Sequence, residues 1–307
     1  MKVLSAHDVA ARSPYPALID ALKRGIDASL VVPQRGAFEL TGRGDSLLTM
    51  PAWRRDGLGG VKIVTVHPRN PEAGLPSVQG QFVAFDVANG RVLAILDGPE
   101  LTQRRTAAVA ALSVDLLARP DATRLLIVGS GVLARALAAA HTVAQPRATI
   151  EIAGRDVTRV RGMAAQLHAE GVTVQVADDL RHAIQRADVI VTATTATKPF
   201  IRRDWVRPGT HLSLMGAFTT EMAEADQALV AAARLFADTR EGVIAKGGEI
   251  AQAIATGAIS ARAIEDDLFG LVVRSVPVAR GQDDITLFKS VGWAGFDLIA
   301  AELILRG

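Results

Sequence analysis

Apolar and polar positions along this chain change their period twice, and each change predicts a change of architecture. Ala17, Ala21, Leu22 and Ile26 recur at helical spacing while Asp20, Lys23 and Arg24 fall on other faces, which predicts an amphipathic helix over residues 15–32 that stops near Pro33. Between residues 47 and 96 the period shortens to that of strands. Residues 60–66 are β-branched, and residues 78–86 lead through the turn Asn89-Gly90 into residues 92–96, the pattern of an antiparallel sheet. Residues 102–118 return to helix, and Arg119-Pro120-Asp121 ends it at a plausible domain boundary. Beyond that stop, short apolar strands at 124–128, 149–153, 172–176, 189–193 and 211–214 alternate with helical segments, which is the grammar of a parallel sheet. A further strand is expected at 234–237 after a helix at 224–233, and helical stretches at 249–255 and 261–268.

Composition narrows this picture. A length of 307 residues suits two domains, and 49% hydrophobic content with 27 glycines and only 4% aromatics suits an α/β protein with buried strands. With no cysteine there is no disulfide framework, thiolate metal site or thiol nucleophile, so a reducing interior and a cytoplasmic location are expected. The formal charge of +2 is small, and basic pairs such as Arg54-Arg55, Arg104-Arg105 and Arg202-Arg203 are dispersed, which argues against a nucleic-acid partner. Apolar runs such as 268–273 are far shorter than the ~18 residues a membrane helix needs, and Asp8 spoils a secretory pattern near the start. The six histidines lack metal-ligand spacing, so no metal is expected.

The strongest local motif is the apolar run Leu125 to Val128 followed by Gly129-Ser130-Gly131-Val132-Leu133-Ala134 and an alanine-rich segment. This is Gly-x-Gly-x-x-Ala between a strand and a helix, the dinucleotide-binding fingerprint of a Rossmann fold. Gly129 permits the tight turn, Gly131 lets backbone approach a pyrophosphate, and Ala134 lets helix and strand pack closely; the helix N-terminus at Val132 and Leu133 offers free N–H groups. An acid at the tip of the next strand would hold the ribose diol of NAD, whereas an arginine there accommodates the 2′-phosphate of NADP. That tip reads Ile152-Ala153-Gly154-Arg155, and Glu151 lies about 10 Å back from it at ~3.3 Å per residue. Gly154 and Arg155 therefore favour NADPH, with NAD(H) possible. Lys62 interrupts an apolar strand, and the residues alone leave two readings: an edge strand with Lys62 facing water, or a cation placed inside for chemistry.

At Gly60-Val61-Lys62-Ile63-Val64, His67-Pro68-Arg69-Asn70, Asp97-Gly98-Pro99-Glu100-Leu101-Thr102, Arg105-Thr106-Ala107-Ala108, Gly129-Ser130-Gly131 and Thr286-Leu287-Phe288-Lys289-Ser290-Val291-Gly292, the chain resembles the ornithine cyclodeaminase and mu-crystallin family over nearly its whole length. The resemblance implies a Rossmann-type, doubly wound parallel sheet at residues 119–285, inserted into an α+β substrate and dimerisation domain made of residues 1–118 and 286–307, and a homodimer. It implies that Arg35, Lys62 and Arg105 are the cationic substrate residues, with Arg35 and Arg105 gripping a carboxylate and Lys62 near the imine carbon as an electrostatic or proton-handling group. It also marks Thr106, Thr192, Ala193, Thr194, Ser290 and Gly292 as candidates to line the cofactor.

Cyclodeaminases carry an Asp directly after the glycine that matches Gly216, and this chain has Ala217. Without that carboxylate cyclisation loses the group that positions its nucleophile, so the resemblance points to the reductase branch: NAD(P)H-dependent reduction of a cyclic α-imino acid, Δ1-pyrroline-2-carboxylate or Δ1-piperideine-2-carboxylate, to L-proline or L-pipecolate. The rivals are an ornithine cyclodeaminase that uses NAD catalytically, and a non-catalytic NADPH-binding protein of the crystallin type.

Overall fold

The computed structural model describes residues 1–274 and 278–306; of Pro71 only the backbone is described. In chain order the elements are β1 (Lys2–Leu4), α1 (Ala6–Arg12), α2 (Tyr15–Gly25), β2 (Leu30–Val31), β3 (Gly36–Glu39), β4 (Ser46–Arg54), β5 (Leu58–Val66), β6 (Val78–Asp86), β7 (Val92–Asp97) and α3 (Gly98–Leu117). They continue with β8 (Arg124–Val128), α4 (Val132–Ala144), β9 (Thr149–Ala153), α5 (Val157–Ala169), β10 (Gln175–Val176), α6 (Leu180–Arg186), β11 (Val189–Thr192), β12 (His211–Leu214), α7 (Gln227–Ala232), β13 (Arg234–Ala237), α8 (Arg240–Lys246) and α9 (Glu249–Ala255). The last are β14 (Ile264–Asp267), α10 (Leu268–Val273), β15 (Thr286–Lys289) and α11 (Ala294–Arg306).

The chain divides into two compact units, one of Met1–Arg105 with the segment from Trp293 onward, the other of Thr106–Gly292. In the first, a seven-stranded sheet runs in the order β1-β7-β6-β5-β4-β2 with β3 also on β4. Its strands pair antiparallel as expected, except that β1 joins β7 in parallel. Gly90, at φ +73, makes the β6–β7 turn that Asn89-Gly90 foretells. Helix α11 covers one face, packing on α2, β4 and β5, and is apolar almost all round: Phe296, Leu298, Ile299, Ala300 and Ala301 are buried. Helix α2 ends at Gly25 rather than near Pro33, because Ile26 turns extended at φ −81, ψ 96 and Asp27 turns the chain by accepting from the Ser29 backbone N–H at 2.8 Å.

The second unit is an eight-stranded, all-parallel sheet in the order β10-β9-β8-β11-β12-β15-β13-β14, a Rossmann-type α/β arrangement. Its centre is apolar from both faces, with Ile127, Ile190, Leu212, Leu214, Leu287 and Phe288 fully buried.

Two sequence expectations need correction here. Residues 286–289 were expected in the first domain, yet β15 lies between β12 and β13, paired to both, so the chain leaves this unit after Gly292; the other crossing is at Arg105/Thr106 inside α3, not at 118/119. Four consecutive buried residues make β15 a two-faced core strand, which local periodicity cannot assign to either sheet. Residues 261–268 were expected to be helical, but Ile264–Asp267 is the edge strand β14, with only Ile264 buried and Asp267 capping α10. The expected segment 286–307 also includes Gly307, which lies outside the described residues.

Candidate active site

Strand β5 lies inside the first sheet, between β4 and β6, and Lys62 sits opposite Met50 and Phe82. Side chains alternate along a strand, so the parity that buries Val64 also turns Lys62 inward, and it is 2% exposed. Of the two readings left open by the sequence, the edge strand facing water is therefore excluded. Its ammonium donates to Asp297 Oδ1 at 2.9 Å and to Thr102 Oγ1 at 3.1 Å, and pairs with Asp297 Oδ2 at 2.8 Å. Arg105, on α3 and nearly buried, donates from Nε to the same Asp297 Oδ1 at 2.9 Å.

Burial pushes the Lys62 ammonium down to about 8; Asp297 opposes this, and the charges of Arg105 and Arg35 add to it. Burial alone would raise the Asp297 carboxyl, but Arg105 and Lys62 outweigh it and hold it below the ordinary carboxylate range. Arg35, half-buried just before β3, is thus close enough for its charge to act on Lys62. Arg104 points elsewhere: its guanidinium holds the Ser13 carbonyl at 2.6 Å and lies 4.4 Å over the Tyr15 ring. Sequence reasoning missed Asp297, although an acid inside the apolar run Phe296 to Ala301 was a legible signal.

In the second unit, Gly129 has φ +149, and a methyl there would sit 2.7 Å from the Ala193 carbonyl, so only glycine lets β8 turn where β11 ends. Gly131 is the N-cap of α4 with no side-chain cap, and a methyl there would meet nothing within 4 Å. The first N–H groups of a 13-residue helix therefore face open space beside Ser130, Val132 and Leu133, a cradle suited to a pyrophosphate. Fully buried Ala134 keeps α4 close to β8. At the tip of β9, Gly154 lies against Val160 and near Ser130, and Arg155 is exposed. Glu151 is turned away from that tip, accepting from Arg186 Nη2 at 2.7 Å, and Asp156 is spent on capping α5. The chemistry of these residues fits a nicotinamide dinucleotide.

Three buried carboxylates, Glu224, Glu249 and Asp238, organise the strand ends of this unit. Glu224 accepts from Thr192 Oγ1 and Thr194 Oγ1, both at 2.7 Å, and from the backbone N–H groups of Thr194 and Gly216, both at 2.9 Å. It thereby ties the exit of β11, with Thr192, Ala193 and Thr194, to the exit of β12. Glu249 in turn accepts from the Glu224 backbone N–H at 3.2 Å and pairs with buried Lys289 at 2.9 Å. Asp238 accepts from Ser290 Oγ and Val291 N–H at 2.8 Å and from Gly292 N–H at 2.7 Å, so the Ser290 hydroxyl is committed to holding its own loop. Thr106, nearly buried on α3, begins this unit. Ala217 is fully buried against Gly248, where an added methyl would come within 2.7 Å of its Cβ.

The model of the ornithine cyclodeaminase/mu-crystallin family matches residues 2–306. A Δ1-pyrroline-2-carboxylate reductase of Paracoccus denitrificans is 38% identical over 308 residues, covering 99% of this chain and 96% of its own. The mouse ketimine reductase mu-crystallin is 30% identical over 295 residues, covering 95% and 90%. A Thermococcus litoralis Δ1-pyrroline-2-carboxylate reductase, solved with NADH and L-proline, superposes with a TM-score of 0.91 at 28% identity, covering 100% of this chain and 97% of that one. With its inserted dinucleotide-binding unit, its buried Lys62 and a family match from end to end, this chain belongs to the ornithine cyclodeaminase/mu-crystallin family.

Proposed function

We propose that this protein is an NAD(P)H-dependent reductase of a cyclic α-imino acid, converting Δ1-pyrroline-2-carboxylate or Δ1-piperideine-2-carboxylate to L-proline or L-pipecolate. The observation that carries this reading is the buried Lys62–Asp297–Arg105 cluster, which holds two cations against one carboxylate and so retains net positive charge for an anionic substrate. Arg35 and Arg105 bind the carboxylate, and Lys62 stands by the imine. NAD(P)H supplies the hydride that the imine carbon accepts, while the C=N electron pair stays on nitrogen with the iminium proton. Fixed cations beside the carboxylate offset its charge without solvent reorganisation, and a Lys62 ammonium near its own titration range can give or hold a proton at the imine nitrogen. The cyclodeaminase alternative lacks support, since Ala217 is packed away where that branch has its Asp.

The preferred cofactor is NADPH, because Arg155 stands at the tip of β9 and the only acid in that strand, Glu151, is paired with Arg186. Ser130, Gly131, Val132 and Leu133 hold the pyrophosphate, and Thr106, Thr192, Ala193, Thr194, Ser290 and Gly292 line the rest of the cofactor site. The protein acts as a homodimer. Val3, Ile95, Val83, Val61 and Pro51 form an in-register apolar row across the first sheet, on the face opposite Lys62, and Val3 is 71% exposed in the single chain. No helix among the described residues is long and apolar enough to cross a membrane, and the lack of cysteine suits the reducing cytoplasm.

A panel of cyclic imino acids and α-keto acids assayed with NADPH and NADH tests the reading. Steady NADPH oxidation with a cyclic imino acid is expected. Ammonia release from ornithine without net cofactor turnover, or tight NADPH binding with no turnover on any substrate, would overturn it.

A further inference from the structure

Asp297 is fully buried in the first turn of α11, and among the described residues the full charges that meet its carboxylate are Lys62 and Arg105. Those two partners lie 235 and 192 residues away in sequence, on β5 and α3. One carboxylate on α11 thus joins the two elements that carry the cations. We infer that Asp297 is the positioning residue of the reduction: it aims Lys62 and Arg105 at the imino acid and keeps the Lys62 ammonium charged in a site from which water is excluded. This rests on the reductase reading above for the substrate, but not for the geometry.

The physical argument is a balance. Removing an ammonium from water disfavours its charged form, and two further cations, Arg105 and Arg35, act on Lys62 in the same direction. Thr102 Oγ1 is an acceptor without charge. Among the described groups that act most on Lys62, Asp297 is the negative one opposing them. On the other elements packed against α11, Arg54 of β4 is engaged with Glu302 and Asp27, Arg24 of α2 with Asp20, and Asp8 of α1 with Ser5, while α1 also carries His7 and Arg12 and α2 also carries Lys23. Removing the Asp297 charge therefore leaves the Lys62 ammonium and the Arg105 guanidinium without the carboxylate they share, and of the two only the ammonium is able to discharge by losing a proton. The carboxylate also accepts from Arg105 at Nε, which leaves the terminal nitrogens of that guanidinium for a substrate carboxylate.

The test is Asp297→Asn, which keeps shape and removes charge, with Asp297→Glu as the conservative control. Lysine side-chain NMR, assigned with Lys62→Arg, should find the wild-type Lys62 ammonium titrating near pH 8 and the Asn variant at least about one pH unit lower, the usual size of a lost opposite charge. In kinetics, the alkaline limb of kcat/KM for the imino acid should move down by the same amount, kcat/KM at pH 8 should fall about tenfold or more, and NADPH affinity should hold. Asp297→Glu should return the limb towards wild type. A limb and an NMR titration in Asp297→Asn that superpose on wild type overturn the inference even if rate is lost, because a merely structural role lowers rate without moving the titration. Should the Asn variant fail to fold, a wild-type Lys62 already neutral at pH 7 overturns it alone, because Asp297 would then not be holding the charge. Loss of the reductase reading looks different: wild type then turns over no imino acid, while the Lys62 titration still reports on Asp297.

Discussion

Lys62 is inside because strand parity puts it there, and it is tolerable there because Asp297 and Thr102 satisfy its ammonium. Lys62→Met should cost ~10²-fold or more in kcat/KM for the imino acid, since it removes a preorganised charge, and should leave NADPH affinity nearly intact. Near-normal turnover in that variant would remove Lys62 from the chemistry. The wild-type pH profile follows in sign: Lys62 is charged below about 8, so kcat/KM should be sustained below that pH and decline as pH rises through it. Adjacent arginines make a second contrast. Arg105→Leu should raise KM for the imino acid roughly ten- to a hundred-fold through loss of a charge-assisted contact, whereas Arg104→Leu should spare KM and lower thermal stability, because it loses the Ser13 carbonyl and the Tyr15 ring. Equal KM effects would place the carboxylate elsewhere. Local sequence did not separate Arg104 from Arg105; one residue is 100° of helix rotation, and what each side reaches depends on segments far away in the chain.

On the function proposed above, cofactor choice is made at the tip of β9. Arg155→Leu should lower kcat/KM for NADPH by ~10-fold or more and leave NADH little changed, since only the former carries a 2′-phosphate. Adding Gly154→Asp to gain NADH activity meets an obstacle the sequence did not reveal: the new Cβ would lie 2.9 Å from Val160 Cγ2, so Val160→Ala must accompany it. If Arg155→Leu weakens both cofactors equally, the arginine is a general surface charge and NADPH preference has another source. At the exit of β12, Ala217→Asp should not create cyclodeaminase activity and should destabilise the fold by ~2 kcal/mol or more, because its carboxylate would be buried against Gly248 and beside the Glu224 carboxylate, which accepts from the Ala217 backbone N–H. Ammonia release from ornithine by a stable Ala217→Asp enzyme would show that this loop can turn the side chain outward. The short strands β8, β9, β12 and β13 were legible residue for residue, since apolar runs bounded by turn signals survive any tertiary context. Strand β14 was not, because an edge strand with three acidic residues has no two-residue alternation to read.

Acid sensitivity should come from histidines that the second unit buries. Burial lowers His141 to about 4, against help from Gln145, and lowers His211 to about 3, with Arg280 and His141 adding to it. Folded values below the unfolded ~6.5 mean the unfolded chain binds more protons, so this stability is present above pH 6.5 and is lost as pH falls towards 4 and 3. Between pH 7 and pH 5 each histidine should cost ~2 kcal/mol, and His141→Gln should flatten the slope of denaturation free energy against pH over that window. An unchanged slope would mean that His141 is not buried neutral in solution. The order of apolar and polar positions was enough to read the antiparallel strands, the parallel series and the Gly-x-Gly turn, because backbone hydrogen bonding, side-chain alternation and the φ freedom of glycine act within a few residues. It was not enough to assign β15 to its sheet, to find the exits at Arg105 and Gly292, or to bring Asp297 to Lys62 and Arg105. Those depend on which buried surfaces meet across hundreds of residues, and a buried charge finds its partner only when the chain has closed around both.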